Sequence, residues 1–327
     1  MLNNQTILIT GGTGSFGKKF VETVLKNYKP EKIIIFSRDE HKQFEMQNSS
    51  PFKEYSKTLQ YVIGDIRDAS RIMSAMEDVD FVIHAAAMKQ VPAAEYNPFE
   101  AVKTNVIGGQ NVIDACMKTG VKKVIALSTN KAAAPVNLYG ATKLTSDKLF
   151  IAANNAKGKK NIKFSVVRYG NVFGSRGSVV PVFLNQKSNG ELTITDERMT
   201  RFSITPKQGV EFVIRCLETM EGAETFVPKL PSFRIIDLAK VIAPDAKYKI
   251  IGLRPGEKIH EELITENEAM NTVEFDDYFI ILPSITNKDD IISYCRSKKG
   301  KLCDYGFRYS SEENDVWLNL DDIKTLL

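Results

Sequence analysis

Residues 6–20 read TILITGGTGSFGKKF. A β-branched apolar run, Thr6–Thr10, ends in glycines and passes directly into an amphipathic segment. Glycines at 11, 14 and 17 allow a tight turn and a close approach of backbone N–H groups to a pyrophosphate. The helix that follows adds partial positive charge at its N-terminus. Alone, such a turn is a weak signal. At the first strand–helix junction of an intact βαβ unit it marks a dinucleotide site. Gly11, Thr13, Gly14, Ser15, Phe16 and Gly17 are therefore assigned to a cofactor.

The pattern repeats outward from there. Further strands are expected at 32–37, 60–65, 80–85, 123–128 and 163–169, with helices at 15–27, 39–48, 68–77, 97–119 and 137–156. Strand and helix in alternation predict parallel βαβ units. The strands read as nearly unbroken apolar runs, as in a sheet covered on both faces. The expected class is α/β, a Rossmann-type doubly wound parallel sheet with a smaller mixed α/β lobe for a substrate. Residues 1–170 are expected to form the cofactor domain, with some later segments returning to it. Residues 171–283 are expected to form the lobe, and 284–327 a partly polar, helical tail.

Composition narrows the function. The 327 residues carry 44 Lys and Arg against 40 Asp and Glu, a net charge of +4. The basic residues are dispersed among acids, so a nucleic-acid partner is not expected and an anionic small substrate is. Cys116, Cys216, Cys295 and Cys303 form no CxxC pair, and His41, His84 and His260 are scattered. Neither a zinc site nor a disulfide framework is expected. The apolar runs fall short of the ~20 residues that span a bilayer. No leader is read at the N-terminus, so a cytoplasmic protein without membrane contact is expected.

The second strand ends in IIIFSRDEHK. An NAD site commonly places an acid there for the ribose 2′-hydroxyl. Here Ser37 and Arg38 hold that position, with Lys42 near, which favours NADP over NAD, although Asp39 is adjacent. Asp65 and Ile66 end the third strand, at the adenine or as a strand-end cap. Ala85, Ala86 and Lys89 follow the fourth and complete the cofactor set.

After the fifth strand comes STNKAAAPVNLYGATKL, residues 128–144. Tyr139 and Lys143 stand four apart and share one face of a helix. An ammonium beside a phenol lowers the phenol's pKa, so that the phenolate takes a proton from an alcohol. Thr129 lies where its hydroxyl can bond to the same alcohol.

These residues, with Asn105 in a mid-chain helix, resemble the extended short-chain dehydrogenase/reductase superfamily. The resemblance narrows with SRDEHKQFEM, HAAAMKQVPAAEYNP, RYGNVFGSRGSVVP, ITDERMTRFSIT and RPGEKIHEEL, and it runs from about residue 3 to 283. The set is similar to the configuration-inverting UDP-N-acetylglucosamine 4,6-dehydratases, which open pseudaminic acid synthesis for bacterial surface and flagellin glycosylation. The resemblance implies that Tyr139, backed by Lys143, deprotonates the sugar C4 hydroxyl, and that Lys131 removes the C5 proton, which needs a neutral amine. It implies Arg254 at the diphosphate and Glu257 at the uridine ribose. Asn171 falls at phosphate or sugar, Thr195 at uracil and Lys89 at the sugar. Arg176 and Arg201 join the substrate set as further diphosphate candidates. A homo-oligomer is implied as well. Two positions depart from the family. Residue 130 is asparagine where the family has an aspartic acid that protonates the C6 hydroxyl, and Gln90 replaces a histidine. An amide has no proton to deliver. Three readings follow: an Asp→Asn exchange that traps substrate, a natural amide with water or Lys131 as the acid, or a turn to 4-epimerisation. The same fold carries UDP-hexose 4-epimerases, and a non-catalytic NADP-binding protein is the remaining alternative.

Overall fold

The computed structural model describes residues 1–175 and 177–327. The chain divides into two compact units. One comprises Met1–Ser128, Thr142–Val167 and Val210–Phe226, the other Thr129–Ala141, Arg168–Gly209 and Val227–Leu327.

The first unit is built on β1 (Thr6–Thr10), β2 (Lys32–Ser37), β3 (Leu59–Ile63), β4 (Phe81–His84), β5 (Lys123–Leu127) and β6 (Lys163–Val167). They lie in the order β3-β2-β1-β4-β5-β6, all parallel, and β6 pairs onward with Thr225 and Phe226 of the strand Thr225–Pro228. This is the Rossmann arrangement expected from the βαβ alternation. Every residue of β1 is buried, and so are those of β4, as strands covered on both faces must be. Leu8, Phe36, Val82, Val124, Phe164 and Val166 join Phe150 in one buried cluster. The order reverses at β1, which lies between β2 and β4, so the loop after β1 sits at the switch point where such sheets bind ligands.

The helices α1 (Ser15–Asn27), α2 (Glu40–Asn48) and α3 (Ala69–Ala75) agree with the sequence spacing to within two residues. The segment expected as one helix over 97–119 is interrupted. Pro98–Val102 passes through a π-turn at Lys103–Ile107 before Gly108–Thr119 resumes. The extra residue in the turn points Asn105 inward. Its Oδ1 accepts from Met88 N (2.8 Å), and its Nδ2 donates to Met88 O (2.9 Å) and to Thr142 Oγ1 (3.0 Å). Such π-turns are frequent at functional sites. This one fastens the segment after β4 to the helix that carries Lys143.

The second unit is mixed α/β. Thr200–Ile204 pairs with Asn171–Val172 and with Ser232–Arg234, and Glu191–Ile194 with Lys247–Ile250. Its core gathers Phe183, Leu192, Ile194, Phe233 and Leu238 with Ile323 from the tail. The tail is less helical than its composition suggests. Beside the helices Lys288–Lys298 and Leu320–Thr325, it contributes Tyr309–Ser310, which pairs antiparallel with Glu262–Ile264. Short strands of two residues carry too little periodicity to be read locally.

Candidate active site

In the first unit, the glycine loop is shaped by close approach. Gly11 has φ +67°, and a Cβ there would stand 2.9 Å from Ala86 N. A Cβ on Gly17 would meet Gly12 O at 2.4 Å. Only glycine lets the loop lie this close to the chain after β4. The N–H groups of Ala85 and Ala86 both donate to Thr10 Oγ1 at 3.2 Å, which fixes that chain. The N-cap of α1 is Gly14, whose lack of a side chain leaves the first N–H groups open to an anion. Thr13 is buried beside the loop, Ser15 is exposed, and Phe16 stacks on Phe20.

At the end of β2, Ser37 is buried and its Oγ accepts from Gln43 Nε2 (3.0 Å). Asp39 caps α2 by accepting from Lys42 N (3.0 Å), and its other oxygen pairs with Lys42 Nζ at 2.7 Å. The hydrogen bonds from Lys42 hold the Asp39 carboxyl below the usual range. Arg38 is exposed, its nearest anion being Asp65 at 3.5 Å. Asp65 accepts from Arg67 Nε (2.9 Å) and Nη2 (2.7 Å). Burial alone would raise its pKa, but Arg67 outweighs this and holds it low. Ile66 is buried beneath Gly108, where a Cβ would come within 2.8 Å. Lys89 and Gln90 are exposed after β4.

Tyr139 and Lys143 lie one turn apart on the helix Leu138–Ala156, and Asp147 continues the same face. Tyr139 and Lys143 are both buried. Burial pulls the Lys143 ammonium down, and the Asp147 carboxylate only partly restores it. Asp147 accepts from Ser128 Oγ at 2.6 Å. His84 is held by Thr10 Oγ1 (2.9 Å) and stacked on Phe150. Burial, then the charge of Lys143, pushes it down to about 3, so at neutral pH it is an uncharged core ring.

The second unit gathers the other residues around a short 3₁₀ turn, Asn130–Ala132. Thr129 begins the turn. Its hydroxyl donates to Asn130 Oδ1 (2.9 Å), and Lys131 N points back to it (3.3 Å). Asn130 is buried, and its Nδ2 donates to Asn171 Oδ1 (3.3 Å). Lys131 Nζ reaches Glu261 Oε1 at 3.1 Å. Arg201 Nε stands 3.5 Å from that same oxygen, while its Nη1 donates to the carbonyls of Thr200 (2.7 Å) and Ile259 (2.8 Å). The loop RPGEKIHE, residues 254–261, is pinned to the stretch by two further bonds. Lys258 Nζ donates to Ala133 O (2.7 Å) and Asn137 Nδ2 to Gly256 O (2.8 Å). Arg254 is exposed on this loop, 3.9 Å from Glu257. Thr195 is half-buried after the strand Glu191–Ile194, and Arg176 lies outside the described residues.

The structure thus brings Asn130, Lys131, Asn171 and Arg201 together. It adds Glu261, which the sequence did not single out. Only its depth marks it: it is 3% exposed. Burial alone would raise its pKa, but the charges of Lys131 and Arg201 hold it below the usual range.

Residues 7–283 match the model of a family described as polysaccharide biosynthesis protein. The chain belongs to that family. Within this polysaccharide biosynthesis family, it is similar to the UDP-N-acetylglucosamine 4,6-dehydratase (inverting) of Campylobacter jejuni. The two are 56% identical over 332 residues, which cover 100% of this chain and 98% of that one. The UDP-glucose 4-epimerase of Rickettsia canadensis is 40% identical over 341 residues, covering 100% and 96%. The X-ray structure of Pen from Bacillus thuringiensis superposes with a TM-score of 0.89 at 40% identity, covering 99% and 98%. Among the described residues no helix is long and apolar enough to cross a membrane, and no cluster of His, Cys, Asp and Glu could hold a metal ion.

Proposed function

We propose that this protein is a configuration-inverting UDP-N-acetylglucosamine 4,6-dehydratase, forming a UDP-2-acetamido-2,6-dideoxy-4-keto-hexose from which pseudaminic acid is made. The observation that carries the reading is the half-buried amine of Lys131 on the buried carboxylate of Glu261, next to Asn130 in a turn that leads to Tyr139 and Lys143. The identity to the Campylobacter jejuni dehydratase along the full chain supports the substrate.

A nicotinamide dinucleotide fits the first unit, because Gly11 and Gly17 let the loop fold tightly where a Cβ would collide with Ala86 and Gly12, and the Gly14 N-cap leaves the first N–H groups of α1 without a side-chain cap. Bound there, it supplies the hydride acceptor and donor that make the reaction redox-neutral overall. The protein's own groups move protons. Tyr139 takes the C4 hydroxyl proton, with the Lys143 ammonium stabilising the phenolate. The C4 ketone acidifies C5–H, and Lys131 removes that proton. The C6 hydroxyl then leaves as water, its proton coming from the Lys131 ammonium or a water molecule because the amide of Asn130 has none to give. With the hydride taken from C4 restored at C6, a proton delivered to C5 from the opposite face would invert the centre. Arg254 and Glu257 take the diphosphate and the uridine ribose, with Asn171 and Thr195 beside them. The protein acts as a cytoplasmic homo-oligomer.

The cofactor we assign is NADP. Asp39 is engaged in capping α2, and the exposed guanidinium of Arg38 stands free to take a 2′-phosphate beyond its 3.5 Å contact with Asp65. Arg38→Ser should weaken NADP binding by about 10–100-fold and leave NAD binding nearly unchanged, since a hydrogen bond to a charged group contributes ~1.5–3 kcal/mol. Fluorescence titration with both dinucleotides checks it, and equal losses for the two would refute the assignment.

Incubation with UDP-N-acetylglucosamine and mass spectrometry tests the function. The expected product is lighter by one water. A product of unchanged mass would make the protein a 4-epimerase, the reading that the amide at 130 and the Rickettsia relative favour. Binding of dinucleotide without turnover, even in the Asn130→Asp variant, would leave a non-catalytic protein.

A further inference from the structure

Glu261 is a carboxylate placed where carboxylates are rarely stable. It is 3% exposed, and its backbone is fixed on both sides: its N–H donates to Ser311 Oγ (2.9 Å), and its carbonyl accepts from Ser311 N (2.8 Å). A buried charge persists only when opposite charges and hydrogen bonds surround it. Two cations do so here, Lys131 at 3.1 Å and Arg201 at 3.5 Å. They are not equivalent. Arginine keeps its proton throughout the physiological range, whereas a lysine amine exchanges it. Arg201 is itself locked onto the carbonyls of Thr200, Ile259 and Lys258. Glu261 therefore keeps a permanent counter-ion in Arg201 whatever proton passes through the Lys131 amine. A lysine that is to accept a proton in a partly buried site needs such an arrangement. While neutral, it leaves no orphaned carboxylate, and once charged it is already paired.

We propose that Glu261 is a positioning residue for the C5 proton transfer: charged and anchored by Arg201, it fixes where Lys131 presents its amine and stabilises the ammonium formed when that amine takes the proton. The inference rests on the reading of Lys131 as the C5 base. In the step concerned, the C5–H bond breaks and its proton goes to Lys131 Nζ. The electron pair stays on the sugar as the enolate of the C4 ketone.

Other titratable groups around the pair are Lys258, whose Nζ donates to Ala133 O, His260, whose Nε2 lies 3.0 Å from Glu312, and Glu262, next in the chain. The substitutions below leave all of them in place. Without the carboxylate charge, the ammonium is less favoured. A rate that needs the neutral amine then begins to rise at lower pH.

The experiment uses the full chain and its Glu261→Gln and Glu261→Asp variants. The kcat for water loss from UDP-N-acetylglucosamine is measured against pH. In parallel, the lysine Cε signal of Lys131 is titrated by ¹³C NMR and assigned with Lys131→Arg. For Glu261→Gln, the acid-side limb and the NMR midpoint should both fall by about one pH unit or more, the usual effect of removing an opposite charge within ~4–6 Å. Plateau kcat should drop about 10–100-fold, within the range of a weakened general base. Glu261→Asp should keep the limb near its original position and recover part of the rate. Loss of rate in Glu261→Gln with an unmoved limb and midpoint would reduce Glu261 to a packing role and overturn the proposal. Absence of water loss in the unaltered protein would refute the assigned function instead, and the NMR midpoints would still decide the ion pair.

Discussion

Lys131→Ala should abolish deuterium uptake at C5 in D2O and lower water loss by about 10²–10⁴-fold, the usual contribution of a positioned acid or base. Its amine sits within a network that a methyl group cannot replace. Lys131 Nζ is 3.1 Å from Glu261, which is 3% exposed, so no other group need move for the amine to be held. The dinucleotide should bind almost as before, because the glycine loop and Arg38 belong to the other unit of the chain. Truncation leaves Glu261 with Arg201 at 3.5 Å, so some stability is lost but a counter-ion remains. A thermal melt and a dinucleotide titration separate that loss from the chemical one. Undiminished exchange at C5 would place the base elsewhere and remove the central residue of the mechanism.

Asn130→Asp should accelerate water loss at least about tenfold while changing C5 exchange little, because a general acid acts on the leaving hydroxyl and not on C5–H. The environment favours the acid form. Asn130 is 2% exposed, its Oδ1 accepts from Thr129 Oγ1 at 2.9 Å, and its Nδ2 donates to Asn171 Oδ1 at 3.3 Å. An aspartate there would turn one oxygen toward Thr129 and the other toward the Asn171 carbonyl oxygen, which only accepts. Burial and that acceptor both favour a carboxylic acid that keeps its proton. The ratio of C5 exchange to water loss, measured side by side on the two proteins, should therefore fall in the variant. Equal ratios would mean that the amide is no defect, and that water or the Lys131 ammonium already protonates the leaving group.

These two expectations draw unequally on sequence and structure. Tyr139 and Lys143 were legible as residue types at a set spacing after a strand, and Lys131 through the family resemblance. Their neighbours were not. The interruption at Lys103–Ile107 could not be placed from composition, because Thr, Asn, Val and Ile are weaker helix formers that nonetheless occur within ordinary helices, and only its bonds to Met88 and Thr142 explain Asn105. The guanidinium of Arg201 sits on Glu261 and backbone carbonyls, a role that its place in a motif loop did not suggest. Asp39, which looked like a rival to Arg38 at the ribose, turns out to cap α2.

What the chain alone determined is local. The run from Thr6 to Phe20 specified strand, glycine turn and helix, and its repetition specified a parallel sheet, because side-chain periodicity and glycine's backbone freedom act over a few residues. What only the tertiary structure decided is which charges are buried together. Lys131 and Glu261 lie 130 positions apart, and Ser311, which anchors Glu261, comes from a non-helical part of a tail whose composition suggested helix. Burial is a property of the packed whole: a glutamate in a polar loop has the same local signature whether it faces water or balances a half-buried amine.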